Sequence, residues 1–337
     1  MSNSSPVRIA LNGFGRIGRN VVRALPRYPD VELVAINDVM EPAQMAYLAE
    51  YDTVMGRDPS VELHDGRLRT EAVDAALLQV RDPTTLPWAE YDIDVVLECT
   101  GIFRTHEDAA MHLEAGAQKV IISAPPRGDT PVTQLVYGVN HDHYADEAVI
   151  SNASCTTNSV TPIAQVLDAR FGIDHGMLTT VHAYTGSQQL LDGPMAKPRR
   201  GRAAAENILP TTTGAAAAAT AILPQLAGKL DGMAIRVPVP NGSLTELVVT
   251  LDASPTVAAV NDAFRAAAAE GPLAGVLGVT DDPLVSSDIR GMPYSSIVDL
   301  ASTNRVGAGA MYKVLTWYDN EFGFSNRMLD MAQFITA

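Results

Sequence analysis

The first forty residues confine what this chain can fold into. Val7-Arg-Ile-Ala-Leu-Asn12 is a short apolar run that stops at a glycine and reads as a buried strand. Gly13-Phe-Gly15-Arg-Ile-Gly18 follows with the spacing G-x-G-x-x-G. A helix is predicted from Arg19 to Leu25 and a second strand from Val31 to Asn37. An acid, Asp38, stands twenty residues beyond Gly18 at the end of that strand. Strand, glycine loop, helix, strand and acid together form the dinucleotide-binding fingerprint, where the glycine triplet alone would be weak. Gly13 and Gly15 let the backbone approach a pyrophosphate, and Gly18 lets helix pack on strand. The helix N-terminus offers free N–H groups to the anion. Asp38 can accept from ribose hydroxyls and repels a 2′-phosphate, which favours NAD over NADP.

Alternation of strand and helix continues. A strand is predicted over Tyr91–Thr100, a helix over Glu107–Ala115 and a strand over Lys119–Ser123, as in a parallel sheet with helices on both faces. After about Ser151 the pattern changes. Longer strands are predicted at Leu178–Tyr184, Gly232–Val239 and Leu244–Leu251, with a helix over Thr256–Glu270 that stops at Gly271. In Leu244–Leu251, Leu247, Val249 and Leu251 share one face and Glu246 and Thr250 the other, which suits a sheet covered on one side. The expected architecture is an α/β Rossmann dinucleotide-binding domain plus an α+β catalytic domain with a mostly antiparallel sheet. The expected division is 1–154 and 155–318, with a C-terminal helix from about 319 to 337 returning to the first.

Charge narrows the partners. Acidic residues outnumber basic ones 39 to 24, for a net charge of −15. A field of that sign repels nucleic acid and anionic lipid. No apolar run approaches the roughly 18–20 residues of a membrane span, and the N-terminus has no signal-peptide core. Cys99 and Cys155 are the only cysteines, too few for a disulfide framework. A cytoplasmic protein is expected, with no metal, nucleic-acid or membrane partner. Lysine occurs only at Lys119, Lys197, Lys229 and Lys313, which fits either a GC-rich genome or a high-salt interior.

Ser151-Asn-Ala-Ser-Cys-Thr-Thr-Asn158 flanks one cysteine with small polar residues just before a helical run. Cys155 is thereby expected near a helix N-terminus, where the dipole lowers a thiol pKa. A thiolate needs a base or a cation, and His182, centred in a strand pattern, is the leading candidate. The bland alternative is a small buried cysteine and a satisfied core histidine. Cys99, in an apolar strand, reads as structural. Lys197-Pro-Arg-Arg-Gly-Arg202 gathers positive charge. Arg236 lies among apolar residues, so its charge needs a partner, either a phosphate or a buried carboxylate. Thr211-Thr-Thr-Gly214 opens a helix and offers an anion site. A thiol, a dinucleotide and two anion sites suggest a thioester-forming aldehyde dehydrogenase that uses phosphate.

These residues carry a resemblance. Asn12–Gly18, Ala35-Ile-Asn-Asp38, Ser151–Asn158, Pro210-Thr-Thr-Thr-Gly-Ala215 and Trp317-Tyr-Asp-Asn-Glu321 match, in order, phosphorylating glyceraldehyde-3-phosphate dehydrogenases along almost the whole chain. Val237–Gly242 and Ser187–Pro194 look most like the enzymes of halophilic archaea. The resemblance implies NAD as cofactor, glyceraldehyde 3-phosphate and inorganic phosphate as substrates, and a homotetramer. It implies Cys155 as nucleophile and His182 as the base that activates it and assists at the oxygen. Thr185 and Arg236 match the site for the substrate's own phosphate. Ser154, Thr213, Gly214 and Arg200 match the site of the attacking phosphate, and Thr156 is counted with the substrate and phosphate residues. Arg16 and Ile17 match residues near the pyrophosphate, Asp38 the ribose acid and Asn320 the residue that orients the nicotinamide carboxamide. Arg81, Thr100 and Ser123 line the rest of the cofactor cleft. Phe324 replaces a frequent tyrosine near the nicotinamide. Erythrose-4-phosphate dehydrogenase, or a non-catalytic NAD- or RNA-binding relative, is the alternative reading.

Overall fold

A computed structural model describes residues 5–337. It divides into two compact units, each described on its own. The first comprises residues 5–137, 141–154 and 325–337, and the second residues 138–140 and 155–324.

The first unit is built on a nine-stranded sheet. Its strands in chain order are β1 (Val7–Asn12), β2 (Val31–Asn37), β3 (Glu62–His64), β4 (Arg67–Arg69), β5 (Asp74–Leu78), β6 (Val95–Glu98), β7 (Lys119–Ile122), β8 (Thr133–Gln134) and β9 (Val149–Ser151). Their order across the sheet is β3-β4-β5-β2-β1-β6-β7-β9-β8. All neighbours from β5 to β8 are parallel, and only the β3-β4-β5 edge is antiparallel. Helices α1 (Arg16–Ala24), α2 (Pro42–Glu50) and α3 (His106–Glu114) connect the strands. Ala10, Val34, Trp88, Val96, Val120 and Ile122 belong to one buried apolar cluster. The central strands read as near-continuous apolar runs because both their faces are covered.

Two differences from the sequence reading have local causes. Helix α1 starts at Arg16, three residues early, because Gly15 already serves as its N-cap. The strand expected over Tyr91–Thr100 pairs only over Val95–Glu98, since Asp92 turns the chain at φ +48°. Helix α2 and strands β3 to β5 carry no strong periodicity and were not anticipated.

The second unit holds a seven-stranded sheet. Its strands are β10 (Ile173–Ala183), β11 (Leu209–Thr212), β12 (Leu230–Val237), β13 (Ser243–Leu251), β14 (Leu277–Thr280), β15 (Ser296–Arg305) and β16 (Met311–Tyr318). The order is β11-β12-β10-β13-β16-β15-β14. Only β10/β12 and β14/β15 are parallel, so the sheet is mostly antiparallel. Helices α4 (Cys155–Phe171), α5 (Ala215–Ile222) and α6 (Val257–Ala269) pack on it. Along β13 every odd residue from Ser243 to Leu251 is buried and every even one half-buried. Thr256 caps α6 by accepting from Ala259 N–H, and Gly271 beyond it lies at φ +78°. The last helix, α7, spans Phe322–Ile335. No helix among the described residues is long and apolar enough to cross a membrane.

Candidate active site

In the first unit the glycine loop forms a cradle that only glycine permits. Gly13 lies at φ +99°, and a Cβ there would come within 2.6 Å of Thr100 N. A Cβ on Gly18 would meet Gly13 O at 2.3 Å, so α1 packs tightly onto the end of β1. Around Gly15, in contrast, nothing lies within 4 Å of an added Cβ, which leaves room for a ligand to approach the backbone. The cradle at the start of α1 therefore fits a pyrophosphate. Asp38 Oδ2 accepts from Phe14 N–H at 2.6 Å and Oδ1 from Met40 N–H at 3.0 Å. The acid expected at the ribose thus also holds the loop. Arg16 pairs with the buried Asp52 at 2.5 Å, and backbone N–H groups of Val54 and Met55 complete that carboxylate. These contacts, led by the Arg16 hydrogen bond, outweigh burial and hold the Asp52 carboxyl below its usual range.

A buried polar cluster, missed in the sequence, underlies this loop. Asn12 Nδ2 donates to Glu98 Oε2 at 2.6 Å, and Asn37 Nδ2 donates to Asn12 Oδ1 at 2.8 Å. Trp88 Nε1 donates to His112 Nδ1 at 3.1 Å, which leaves His112 Nε2 to face Glu98 Oε2 at 3.3 Å. Glu98 Oε1 takes the Thr100 N–H at 2.7 Å and the Thr100 hydroxyl as well. The ends of β1, β2 and β6 are thereby fixed relative to one another. The signal was a glutamate ending the apolar run Val95-Val-Leu-Glu98. Ser123 N–H bonds Glu98 O at 3.0 Å, and Arg81 is exposed beyond β5. Cys99 is buried and its thiol is pushed up by that burial, an inert environment.

In the second unit, register brings the expected reactive groups together. His182 on β10 and Arg236 on β12 are direct partners in a parallel ladder. Helix α4 opens at Cys155, one residue after Ser154 and two after Ala153, which sits at φ +56°. That left-handed backbone at a residue bearing a Cβ is strain of the kind that clusters at functional sites. Cys155 Sγ stands 3.5 Å from His182 Nε2. On the other side of the ring, Ala183 O accepts from His182 Nδ1 and from Arg236 Nη1, each at 2.7 Å. A guanidinium only donates, so the 2.9 Å approach of Arg236 Nη1 to Nδ1 reflects their shared acceptor. The hydrogen is therefore on Nδ1, and Nε2 turns a lone pair toward the thiol.

Electrostatics reinforce that state. Burial first, then the Arg236 charge, push the His182 imidazole down to about 3. Burial also pushes the Cys155 thiol up, against a lowering by Arg236. The sequence placed the thiol at a helix start and expected a net lowering; burial reverses the sign. The resting pair is a neutral thiol and a neutral imidazole. An unfolded imidazole takes its proton near pH 6.5. Between that value and about 3 the unfolded chain binds the extra proton. The stability from this site is thus whole above pH 6.5 and is lost as pH falls, at up to about 1.4 kcal/mol per unit. Urea unfolding at pH 7 and pH 5 should show His182→Asn losing about 2 kcal/mol less than the parent over that interval. An equal loss in both proteins would refute the depressed imidazole.

Arg236 also reaches Thr185 Oγ1 at 3.5 Å. Its Nε is buried without a hydrogen-bond partner, and the ionisable groups that act on its charge are Cys155, Tyr318 and Arg200, with no carboxylate among them. Of the two options the sequence left open, a buried carboxylate partner is not found among the described residues. Arg200 donates to Thr211 Oγ1 at 3.3 Å and adds to the field on His182. Thr213 Oγ1 accepts from Ala215 N–H at 3.1 Å, and Gly214 is the N-cap of α5. Thr156 Oγ1 is 3.0 Å from Tyr318 OH, whose ring meets His182 edge-on at 5.9 Å between centroids. Tyr318 is buried and also bonds Thr180 Oγ1 at 2.8 Å. It lies inside Trp317-Tyr-Asp-Asn-Glu321, yet sequence reasoning gave it no role. Asn320 is buried, with Oδ1 accepting from Ser243 Oγ at 2.8 Å. Such an arrangement can move a proton between a thiol and an imidazole beside a fixed positive charge, which defines a cysteine-centred site on an α+β scaffold.

Comparison with known proteins gives the family. Residues 7–106 match the family model described as the NAD-binding domain of glyceraldehyde 3-phosphate dehydrogenase, and residues 154–320 its C-terminal domain. The chain is 65% identical to the glyceraldehyde-3-phosphate dehydrogenase of Haloarcula vallismortis over 335 residues, 99% of each chain. It is 50% identical to that of Geobacillus stearothermophilus over 334 residues and 51% identical to that of Streptomyces coelicolor over 333, each covering 98% of both chains. The chain belongs to the glyceraldehyde-3-phosphate dehydrogenase family and carries its NAD-binding domain.

Proposed function

We propose that the chain converts D-glyceraldehyde 3-phosphate, inorganic phosphate and NAD+ to 1,3-bisphosphoglycerate and NADH, the phosphorylating oxidation of glycolysis. The observation that carries this reading is the Cys155 Sγ to His182 Nε2 approach of 3.5 Å, beside an arginine with no carboxylate partner among the described residues. The family's relatives named above support it. Cys155 attacks the aldehyde carbon. Its proton passes through His182 Nε2 to the carbonyl oxygen, giving a hemithioacetal. NAD+ supplies the acceptor for the hydride lost from that carbon. His182 takes the hydroxyl proton back, and a thioester on Cys155 remains. Phosphate then attacks the acyl carbon, the carbon–sulfur bond breaks, and the sulfur leaves as the thiol by taking the proton that His182 holds. A thioester conserves oxidation energy that an oxygen ester would dissipate.

Arg236 and Thr185 hold the substrate's phosphate in this reading. Ser154, Thr156, Arg200, Thr213 and Gly214 surround the attacking one. Residues 1–154, with the C-terminal helix, act as the dinucleotide domain, and 155–318 as the catalytic domain. Gly13, Gly15, Arg16, Ile17 and Gly18 take the pyrophosphate and Asp38 the ribose. Arg81, Thr100 and Ser123 line the cleft, and Asn320 orients the carboxamide. Asp38 already spends acceptor sites on Phe14 and Met40, and a 2′-phosphate would add charge to a carboxylate pinned in place, which supports NAD over NADP. A cytoplasmic homotetramer working at high salt completes the reading. Net charge −15 and a relative from Haloarcula vallismortis support its last part.

An assay at the reduced-nicotinamide absorbance band tests it, with glyceraldehyde 3-phosphate, with and without phosphate, and with NAD and NADP in separate runs. Sustained turnover is expected only with phosphate, and faster with NAD. Rates independent of phosphate would overturn the phosphorylating reading.

A further inference from the structure

Ser243 joins two parts of the second unit that sequence reasoning treated separately. It is fully buried at the start of β13 and lies opposite Tyr318 on β16. Its Oγ accepts from Ala183 N–H at 3.1 Å and donates to Asn320 Oδ1 at 2.8 Å. Ala183 is the residue after His182, and its carbonyl is the one that receives His182 Nδ1 and Arg236 Nη1. One residue, Ala183, thus faces the imidazole with its carbonyl oxygen and, through Ser243, the Asn320 amide with its N–H.

The serine also decides which way the amide points. Its oxygen already accepts from Ala183 N–H, so its own hydrogen remains to be given, and that hydrogen goes to Oδ1. The Nδ2 hydrogens of Asn320 take no partner among the described residues. The turn beneath is rigid. The buried Asp319 accepts from Asn241 Nδ2 at 2.8 Å, Glu321 N–H at 2.9 Å, Phe322 N–H at 2.8 Å and Gly291 N–H at 2.8 Å. Asp319 therefore fixes the Asn320 backbone, which leaves the amide rotation to Ser243.

We propose that Ser243 is a positioning residue for the cofactor: it turns the donating end of Asn320 toward the nicotinamide carboxamide and ties that setting to the strand end that carries His182. The inference rests on the reading of Asn320 as the carboxamide partner. Ser243 touches neither substrate nor cofactor in this account. Its effect is confined to one end of the dinucleotide, because the pyrophosphate and ribose groups are assigned to other residues.

Calorimetric titration of ligand-free protein with NAD+ and with ADP-ribose, which lacks the nicotinamide, tests it. Ser243→Ala should weaken NAD+ about tenfold and leave ADP-ribose within twofold. Ser243→Thr, which keeps the hydroxyl, should restore most of the loss. Asn320→Ala should show the same selective loss, and adding Ser243→Ala to it should weaken NAD+ no further. Equal weakening of both ligands in Ser243→Ala would mean a structural role only and would overturn the proposal, as would no weakening of either. If Asn320→Ala leaves the NAD+ to ADP-ribose ratio unchanged, the Asn320 reading itself fails. If Asn320→Ala changes that ratio and Ser243→Ala does not, only the Ser243 proposal fails.

Discussion

Cys155→Ser is expected to reduce phosphorylating turnover at least about a thousandfold while leaving NAD+ affinity within twofold. Three features of the site set that size. The resting thiol is already pushed up by burial, and an alcohol is a far weaker acid again, so the attacking anion becomes correspondingly scarce. His182 cannot compensate, because an imidazole pushed down by burial and Arg236 can relay a proton released by a thiol but is too weak a base to draw one from the much less acidic alcohol. An ester formed on a serine oxygen would also release its acyl group to phosphate far less readily than a thioester. A thousandfold loss corresponds to about 4 kcal/mol of transition-state stabilisation. The residues read as cofactor contacts nearest the pyrophosphate and ribose are Gly13, Gly15 and Asp38. Their positions are fixed by the Asn12–Glu98–Asn37 cluster and by Phe14, contacts that Cys155 does not share. Steady-state rates at the reduced-nicotinamide band, with NAD+ titrations on the same preparation, give both numbers. A variant that keeps a tenth of parental turnover would remove Cys155 from the nucleophile's role.

What the sequence displayed and what it concealed divide along one physical line. Local pattern was legible. The dinucleotide unit stood out because glycine spacing, strand, helix and acid are all written within 38 residues. Helix α6 was legible to within a residue at each end because Thr256 and Gly271 carry the capping chemistry. Cys155 and His182 were conspicuous by type, one among small polar residues and the other inside an apolar strand. Register was not legible. That His182 faces Arg236, and that Ser243 faces Tyr318, follows from pairings between strands some 54 and 75 residues apart. No local window contains that information. The same holds for Glu98 and His112, whose partners Asn12 and Trp88 lie 86 and 24 residues away in the chain. The sign of the thiol shift was concealed for a related reason. A helix start can be read from sequence, but the burial that outweighs it is a property of the packed unit.

Dialysis from molar salt into dilute buffer is expected to cost the protein its structure, with the melting temperature falling by tens of degrees and activity falling with it. The argument begins from the 39 acidic and 24 basic residues. Asp52, Glu98, Asp299, Asp319 and Glu321 are the buried carboxylates, and the others are half-buried or exposed. Several exposed ones have cations, such as Asp74 with Arg67 and Asp281 with Arg265. Exposed pairs contribute little, roughly 0–1 kcal/mol each. The surplus acids repel one another across the surface, and the only relief is screening. The screening length is about 3 Å at 1 M salt and about 30 Å at 0.01 M. In molar salt each carboxylate acts only on its immediate neighbours. In dilute buffer each acts on much of its unit, while the unfolded chain can spread the same charge apart. Net folding stabilities run to only about 5–15 kcal/mol. Modest repulsion summed over the surplus of fifteen is enough to exhaust that margin. Circular dichroism melts from 0.01 to 3 M potassium chloride measure the effect directly. The glycine loop should be no exception, since Asp38 and Asp52, which hold it, are compensated locally by N–H groups and Arg16 but belong to the same charged unit. Full activity and an unchanged melting temperature in dilute buffer would show that the acidic surface is tolerated rather than matched to a high-salt interior.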